Sequence, residues 1–229
     1  MMQAVFTEIV DGDEAAVRSR IEKDPKLVNA VATGSPKKYV GQSVLQVAIR
    51  TGRFGIARML LEAGSDPAFV DAKSPTGWTK SVLHDAAVAA VMRSRWSRRT
   101  FDAQSEPVWK TVEVEKHDEA YAMLVALIDA GADPTAEDSL GATPLGRAIH
   151  AAHDVLPRRN DERPELVDGR PLTRELLDDL SRIFALFRSH GADPDEVDTQ
   201  FGTPLTHHYR HELVGKILAG TAEPDAASA

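Results

Sequence analysis

The chain has 229 residues, 42% hydrophobic, 27% charged and 6% aromatic, with a formal net charge of -8 and no cysteine. That composition supports a buried core, and its acidity argues against nonspecific nucleic-acid binding while suiting a basic protein partner. Without cysteine there can be no disulfide, thiol nucleophile or thiolate zinc site, and no apolar run approaches the roughly 18 residues that cross a bilayer.

The predicted elements fall into five units. The first spans about 3–33, where Ile9-Val10-Asp11-Gly12-Asp13 leads to Asp24-Pro25-Lys26-Leu27-Val28-Asn29. The second, about 41–72, opens at Gly41-Gln42-Ser43-Val44-Leu45, turns at Gly52 and closes at Leu60-Leu61-Glu62-Ala63-Gly64-Ser65-Asp66-Pro67. The third, about 77–135, opens at Ser81-Val82-Leu83-His84 and closes at Leu127-Ile128-Asp129-Ala130-Gly131-Ala132-Asp133-Pro134. The fourth, about 141–195, opens at Gly141-Ala142-Thr143-Pro144-Leu145 and closes at Phe187-Arg188-Ser189-His190-Gly191-Ala192-Asp193-Pro194. The fifth, about 201–220, opens at Gly202-Thr203-Pro204-Leu205 and carries a short second helix near Glu212–Leu218. The small acidic tail, 221–229, is expected to be frayed.

Each unit reads as turn, helix, loop, helix and glycine stop. Ser and Thr at the openings suit N-caps, because the hydroxyl can accept from an orphan helical N–H. Pro144 and Pro204 suit the first helical position, where no N–H is needed. Gly64, Gly131 and Gly191 suit left-handed C-caps. Ile56, Met59 and Leu60, then Leu124, Leu127 and Ile128, then Leu180, Ile183, Phe184 and Phe187 recur at helical spacing and are expected core.

The offsets agree with one another. Ser43 to Gly64 is 21 positions, and Gly131 to Thr143 and Gly191 to Thr203 are both 12. The pattern resembles the ankyrin repeat (ANK repeat), with its Thr-Pro-Leu-His start, Gly-Ala-Asp close and period of about 33 residues. The resemblance covers roughly 3–220 and implies an all-α single domain, an α-solenoid of about five units with hairpin-like turns. It also implies that His84 bonds nearby backbone and that partners are met at hairpin tips and inner helices. Tyr39, Gln42, Arg50, Phe69, Asp71 and Trp78 map there by motif position. Phe69 and Trp78 could equally close a turn that is longer than usual.

Two departures are large. Ser81 to Gly131 is 50 positions and Thr143 to Gly191 is 48, against 21 in the second unit. The extra residues, about 88–118 and 151–177, fall between the helices of adjacent units, which puts both on one edge. Such insertions pad a stack, cover a groove or bind a partner. In the first, Leu83, Ala86, Ala87, Ala90 and Val91 keep helical spacing, so the inner helix is expected to extend to about Arg99. Arg93, Arg95, Arg98 and Arg99 surround Trp96 there, as a solvated helix end or as a patch for carboxylates or phosphates. Pro107 to Glu115 alternates at strand period, predicting an extended arm that packs on the stack or offers an edge. Trp96 and Trp109 suit either interface anchors or docking contacts. In the second insertion, Pro157 to Pro164 reads as an exposed loop. A helix resumes after Thr173, with Arg174, Glu175, Asp178 and Asp179 on its wet side.

Little points to chemistry. His207 and His211 could share a helix face, as could His150 and His153, but spacing supplies no third metal ligand. His207-His208-Tyr209 is expected on an exposed terminal face. No phosphate loop or nucleophile elbow is present, so no enzyme activity, metal or cofactor is expected. The expected function is a non-catalytic protein-protein interaction module using Tyr39, Gln42, Arg50, Phe69, Asp71 and Trp78, with Arg95, Trp96, Arg98, Arg99 and Trp109 as a second patch. The alternatives are an immunity or antitoxin-type inhibitor of a bacterial toxin, and an effector or enzyme with a site built by the insertions. Arg outnumbers Lys and Ala is abundant, which suits a GC-rich bacterial source. The first residues lack a basic segment followed by an apolar one, so a cytoplasmic monomer with no nucleic-acid or membrane partner is expected.

Overall fold

The computed structural model describes residues 2–34, 37–71, 77–158, 169–195 and 197–225, with the side chains of 2 and 3 excepted. Ser35 and Pro36 of the first turn, 159–168 of the second long segment and 226–229 of the tail lie outside the described residues.

Among the described residues there are ten α-helices and two short strand pairs. The helices are α1 (Met2–Asp11), α2 (Glu14–Lys23), α3 (Val44–Arg50), α4 (Phe54–Glu62), α5 (Val82–Met92), α6 (Val114–Asp129), α7 (Pro144–Val155), α8 (Arg174–Ser189), α9 (Leu205–His208) and α10 (Leu213–Leu218). Strands β1 (Ser97–Phe101) and β2 (Pro107–Thr111) form one antiparallel pair, and β3 (Val197–Asp198) and β4 (Thr203–Pro204) the other. Consecutive helices pack as pairs, and the pairs pack side by side. One row runs α1, α3, α5, α7, and a second runs α2, α4, α6, α8, α10. The core lies between the rows and includes Phe6, Leu45, Ile49, Leu60, Leu83, Leu124, Leu127 and Phe187, all buried. The apolar stripes expected on α4, α6 and α8 are all in it.

Three helix ends repeat one geometry. Ser65, Ala132 and Ala192 donate their N–H to Leu60, Leu127 and Phe187 C=O, and Gly64, Gly131 and Gly191 donate to Leu61, Ile128 and Arg188 C=O. This double bond pattern needs a left-handed residue, supplied by the three glycines at φ 96°, 99° and 94°. The Asp that follows then closes a local turn. Asp66, Asp133 and Asp193 accept from the N–H two residues on, in Ala68, Thr135 and Asp195. N-caps at Ser43, Thr143 and Thr173 accept from Gln46, Gly146 and Leu176 N–H. At Ser81 the cap is reciprocal with His84.

Four expectations are corrected. Pro107 to Glu115 is expected as one extended arm, but β2 ends at Thr111 and Val114 and Glu115 open α6, whose first turn is tied by Lys116 to Glu113. Helix α5 stops at Met92 instead of extending to about Arg99. The Ser94 hydroxyl donates to Val91 C=O and the Arg95 N–H is taken by Asp179, so the chain leaves the helical path and continues as β1. Thr203 and Pro204 are extended in β4, not the start of a helix. Asp198 accepts from Gln200 and Phe201 N–H, and the tight turn carries the chain back along β3. The described part of the tail is docked, not frayed: Leu172 N–H donates to Asp225 Oδ2, Asp225 N–H donates to Leu172 C=O, and Ala222 packs on the core. No helix among the described residues is long and apolar enough to cross a membrane.

The turn between α6 and α7 is held by Asp138, whose side chain is fully buried. It accepts from the N–H of Leu140 and Ala142, from Trp78 Nε1 at 3.0 Å and from Arg147 Nε at 2.6 Å. Burial would raise this carboxyl, but the donors outweigh it, Arg147 foremost, and hold it below its ordinary value. Asp138→Ala is expected to cost about 3 kcal/mol, because it strands a nearly buried guanidinium and two turn N–H groups. Urea unfolding at neutral pH checks this, and a loss below about 0.5 kcal/mol would show the turn to be held by other means.

Candidate functional site

The first group of expected contact residues does not form an open face. Tyr39, Gln42 and Asp71 are buried, so their place in the contact surface is withdrawn. The reason is packing between neighbouring turns. Asp71 accepts from Lys80 N–H, and Lys80 is itself buried and paired with Asp85. Burial pushes the Asp71 carboxyl up, with Asp85 adding to the rise. Gln46 donates to Asp85 at 3.0 Å, and exposed Arg50 reaches it at 3.9 Å. Phe69 is half-buried against the core. Trp78 is half-buried between the Lys80 ammonium (4.4 Å from the ring centre) and the Arg147 guanidinium (5.0 Å). Only Arg50 of the six projects into solvent.

His84 bonds backbone, as expected. Its Nδ1 accepts from Ser81 N–H at 3.3 Å, and Nε2 donates to Ala142 C=O at 2.9 Å. His207 and His208 are exposed, whereas Tyr209 is buried, 3.3 Å from His150 Nδ1, and is not part of an exposed face. Among the described residues no three His, Asp or Glu side chains come together as a metal set.

The second group does converge, at the first long segment. Strands β1 and β2 pair with Arg98 opposite Lys110, Arg99 opposite Trp109, Thr100 opposite Val108 and Phe101 opposite Pro107. Asp102 closes the tip by accepting from Gln104 and Glu106 N–H. A lone two-stranded hairpin is marginal in water, so its base must be fixed. Asp179 does this. It is buried on α8, accepts from Arg95 N–H at 2.8 Å and pairs with the Arg95 guanidinium at 2.6 Å. Asp179 was expected on the wet side of its helix, and the long-range pair with Arg95 turns it inward. Trp96 adds a second anchor. Its Nε1 donates to Met92 C=O, and its ring meets the guanidinium groups of Arg98 at 4.7 Å and Arg170 at 4.9 Å. Arg170 of the second long segment meets Trp96 of the first, and Arg95 reaches past that segment to Asp179 on α8.

Beyond that base the hairpin is exposed. Phe101 is 69% and Trp109 38% accessible, and Val108 also stands in solvent. Cross-strand partners share a face, so Arg98, Thr100, Val108 and Lys110 lie on one side and Arg99, Phe101, Pro107 and Trp109 on the other. The basic side borders a cavity of about 270 Å³ whose cations are Arg93, Arg98, Lys110 and Lys116. Glu113 is the carboxylate in its lining. Lys116 binds it at 2.6 Å and holds it below its ordinary value, with Lys110 contributing. Sequence reasoning missed Phe101 and Lys116. The signal for Phe101 was the β-prone Thr100-Phe101 pair ahead of the polar run Asp102 to Glu106.

His117 lies beneath the hairpin base. It is buried, with Nε2 3.2 Å from Asp179 Oδ1 at an angle poor for a hydrogen bond. Burial pushes both the His117 and the His84 imidazoles below their ordinary value, against the pull of Asp179 and of Ala142 C=O respectively. The folded state then binds fewer protons than the unfolded chain, whose histidines titrate near 6.5. Stability present above that value is therefore lost as pH falls through it. The urea midpoint is expected to drop between pH 7.5 and 5.5, and an unchanged midpoint would contradict the burial effect. Asp179→Ala is expected to cost about 3 kcal/mol by leaving Arg95 without its buried partner, whereas Lys110→Ala should leave the midpoint unchanged.

No protein-family model matches this sequence, and none of the curated proteins matches it, which leaves the chemistry of these residues as the ground for its function.

Proposed function

We propose that this protein is a non-catalytic protein-binding module, an ankyrin-type stack of about five units that presents a β-hairpin arm to a protein partner. The observation that carries the proposal is the β1–β2 hairpin, fixed at its base by Arg95 and Asp179 and exposed on both faces beyond it. Anchored aromatic side chains over a rigid base suit recognition, because little ordering is lost on binding. The repeat reading is supported by three helix ends with the same hydrogen-bond offsets and by two rows of paired helices. The contact residues are then Arg98, Arg99, Phe101, Val108, Trp109 and Lys110, with Arg95 and Trp96 positioning them. The buried Tyr39, Gln42 and Asp71 serve the stack.

Shortening the arm tests the proposal. Replacing 99–109 by Asn-Gly joins Arg98 to Lys110 through a two-residue turn and leaves the base intact. The tagged full chain, incubated with lysate of its source organism, is expected to retain one protein in stoichiometric amount, and the shortened chain to lose it. Equal retention by both, or no retained protein, would contradict the proposal.

A further inference from the structure

The backbone of the hairpin points to the kind of segment it would bind. Val112 N–H donates to Trp96 C=O at one end of the ladder, and Asp102 N–H donates to Glu106 C=O at the other. Bonded pairs alternate along an antiparallel ladder, so Arg98–Lys110 and Thr100–Val108 are bonded inward. The N–H and C=O groups of Arg99 and Phe101 then face outward along β1, and no described residue pairs with them. The β2 edge is less complete, because Pro107 stands at an outward position and has no N–H. An added strand therefore fits β1 better.

The faces then set the side chains of that strand. Residues of a strand alternate between the two sides of the sheet. On one side an added strand meets Arg98 and the cavity with Arg93 and Lys110. Glu113 in the same lining is drawn by Lys110 but bonded to Lys116, and no described carboxylate forms a salt bridge with these three cations. On the other side it meets Phe101, with Arg99 two positions before it, and, one strand further, Trp109. Resting on the protein-binding reading above, we propose that the β1 edge takes an extended partner segment in which Asp or Glu alternates with apolar residues. Backbone pairing would supply affinity, the cations would select the acidic positions, and the aromatic side would bury the others. A nucleic-acid strand would satisfy the cations and rings but not the outward N–H and C=O groups.

A displayed library of short random peptides, panned on the full chain with the arm-shortened chain as counter-selection, tests this. Enriched peptides are expected to carry acidic residues at alternate positions. A labelled winner is expected to bind about tenfold more weakly to Lys110→Glu, an exposed position at the cavity rim. Arg99→Pro removes an outward donor as well as the side chain and should weaken binding more than Arg99→Ala, which keeps that donor. No enrichment, winners without the alternation, or winners indifferent to both Lys110→Glu and Arg99→Pro would overturn the proposal. So would a mixed-sequence single-stranded oligonucleotide that binds more tightly than every winner. If the shortened arm still retains the lysate partner, the protein-binding role of the arm fails. If it loses that partner and the peptides show no alternation, only the strand-addition inference fails.

Discussion

Buried carboxylates that accept backbone N–H groups hold this structure together at the points where its helices cannot. A turn between packed helix pairs leaves donors that no helix satisfies, and an unmet donor away from water is costly. Asp71 takes the Lys80 N–H, Asp138 takes Leu140 and Ala142, Asp179 takes Arg95, and Asp198 takes Gln200 and Phe201. Each is buried, and Asp138 and Asp179 are also neutralised by an arginine. The same groups fix where chain segments leave the two helical rows, and so where the hairpin arm stands.

Much of the helical frame could be read locally. The repeated Gly-x-Asp-Pro phrase predicts a left-handed stop and a following turn, and all three copies make both. Ser43, Thr143 and Thr173 cap helices for the reason their position suggests, since a hydroxyl there reaches a helical N–H one turn on. Thr203 carries the same local signal and fails, because pairing of Val197–Asp198 with Thr203–Pro204 competes with the helix start.

The arm was half legible. Strand period marks Pro107 to Glu115, of which β2 keeps Pro107–Thr111, but its partner, Ser97 to Phe101, follows an alanine-rich helix whose local stop is only the Ser94 hydroxyl on Val91 C=O. The rest of the stop comes from Asp179, 84 positions from Arg95 in sequence, which takes the Arg95 N–H. The hairpin turn also lacks a glycine signal, since its left-handed position is filled by Ser105 at φ 65°. Long-range packing likewise decides the burial of Tyr39, Gln42 and Asp71, which motif position alone assigned to a contact face. Charge misleads in the same way: Asp179 looks solvated beside Asp178, yet faces Arg95 and His117. The result is a chain of net charge -8 that gathers Arg93, Arg98 and Lys110 on one side of a ribbon and Phe101 and Trp109, with Arg99, on the other.

Backbone amide exchange across 94–112 tests the anchored, open-edged arm most directly. Slow exchange is expected at Arg95, whose N–H is held by Asp179, and at Val112 and Asp102, whose N–H groups donate across the ladder. Fast exchange is expected at the outward Arg99 and Phe101. Uniformly fast exchange through 94–112 would contradict an anchored hairpin, and protection at Arg99 and Phe101 in the isolated chain would contradict an open edge.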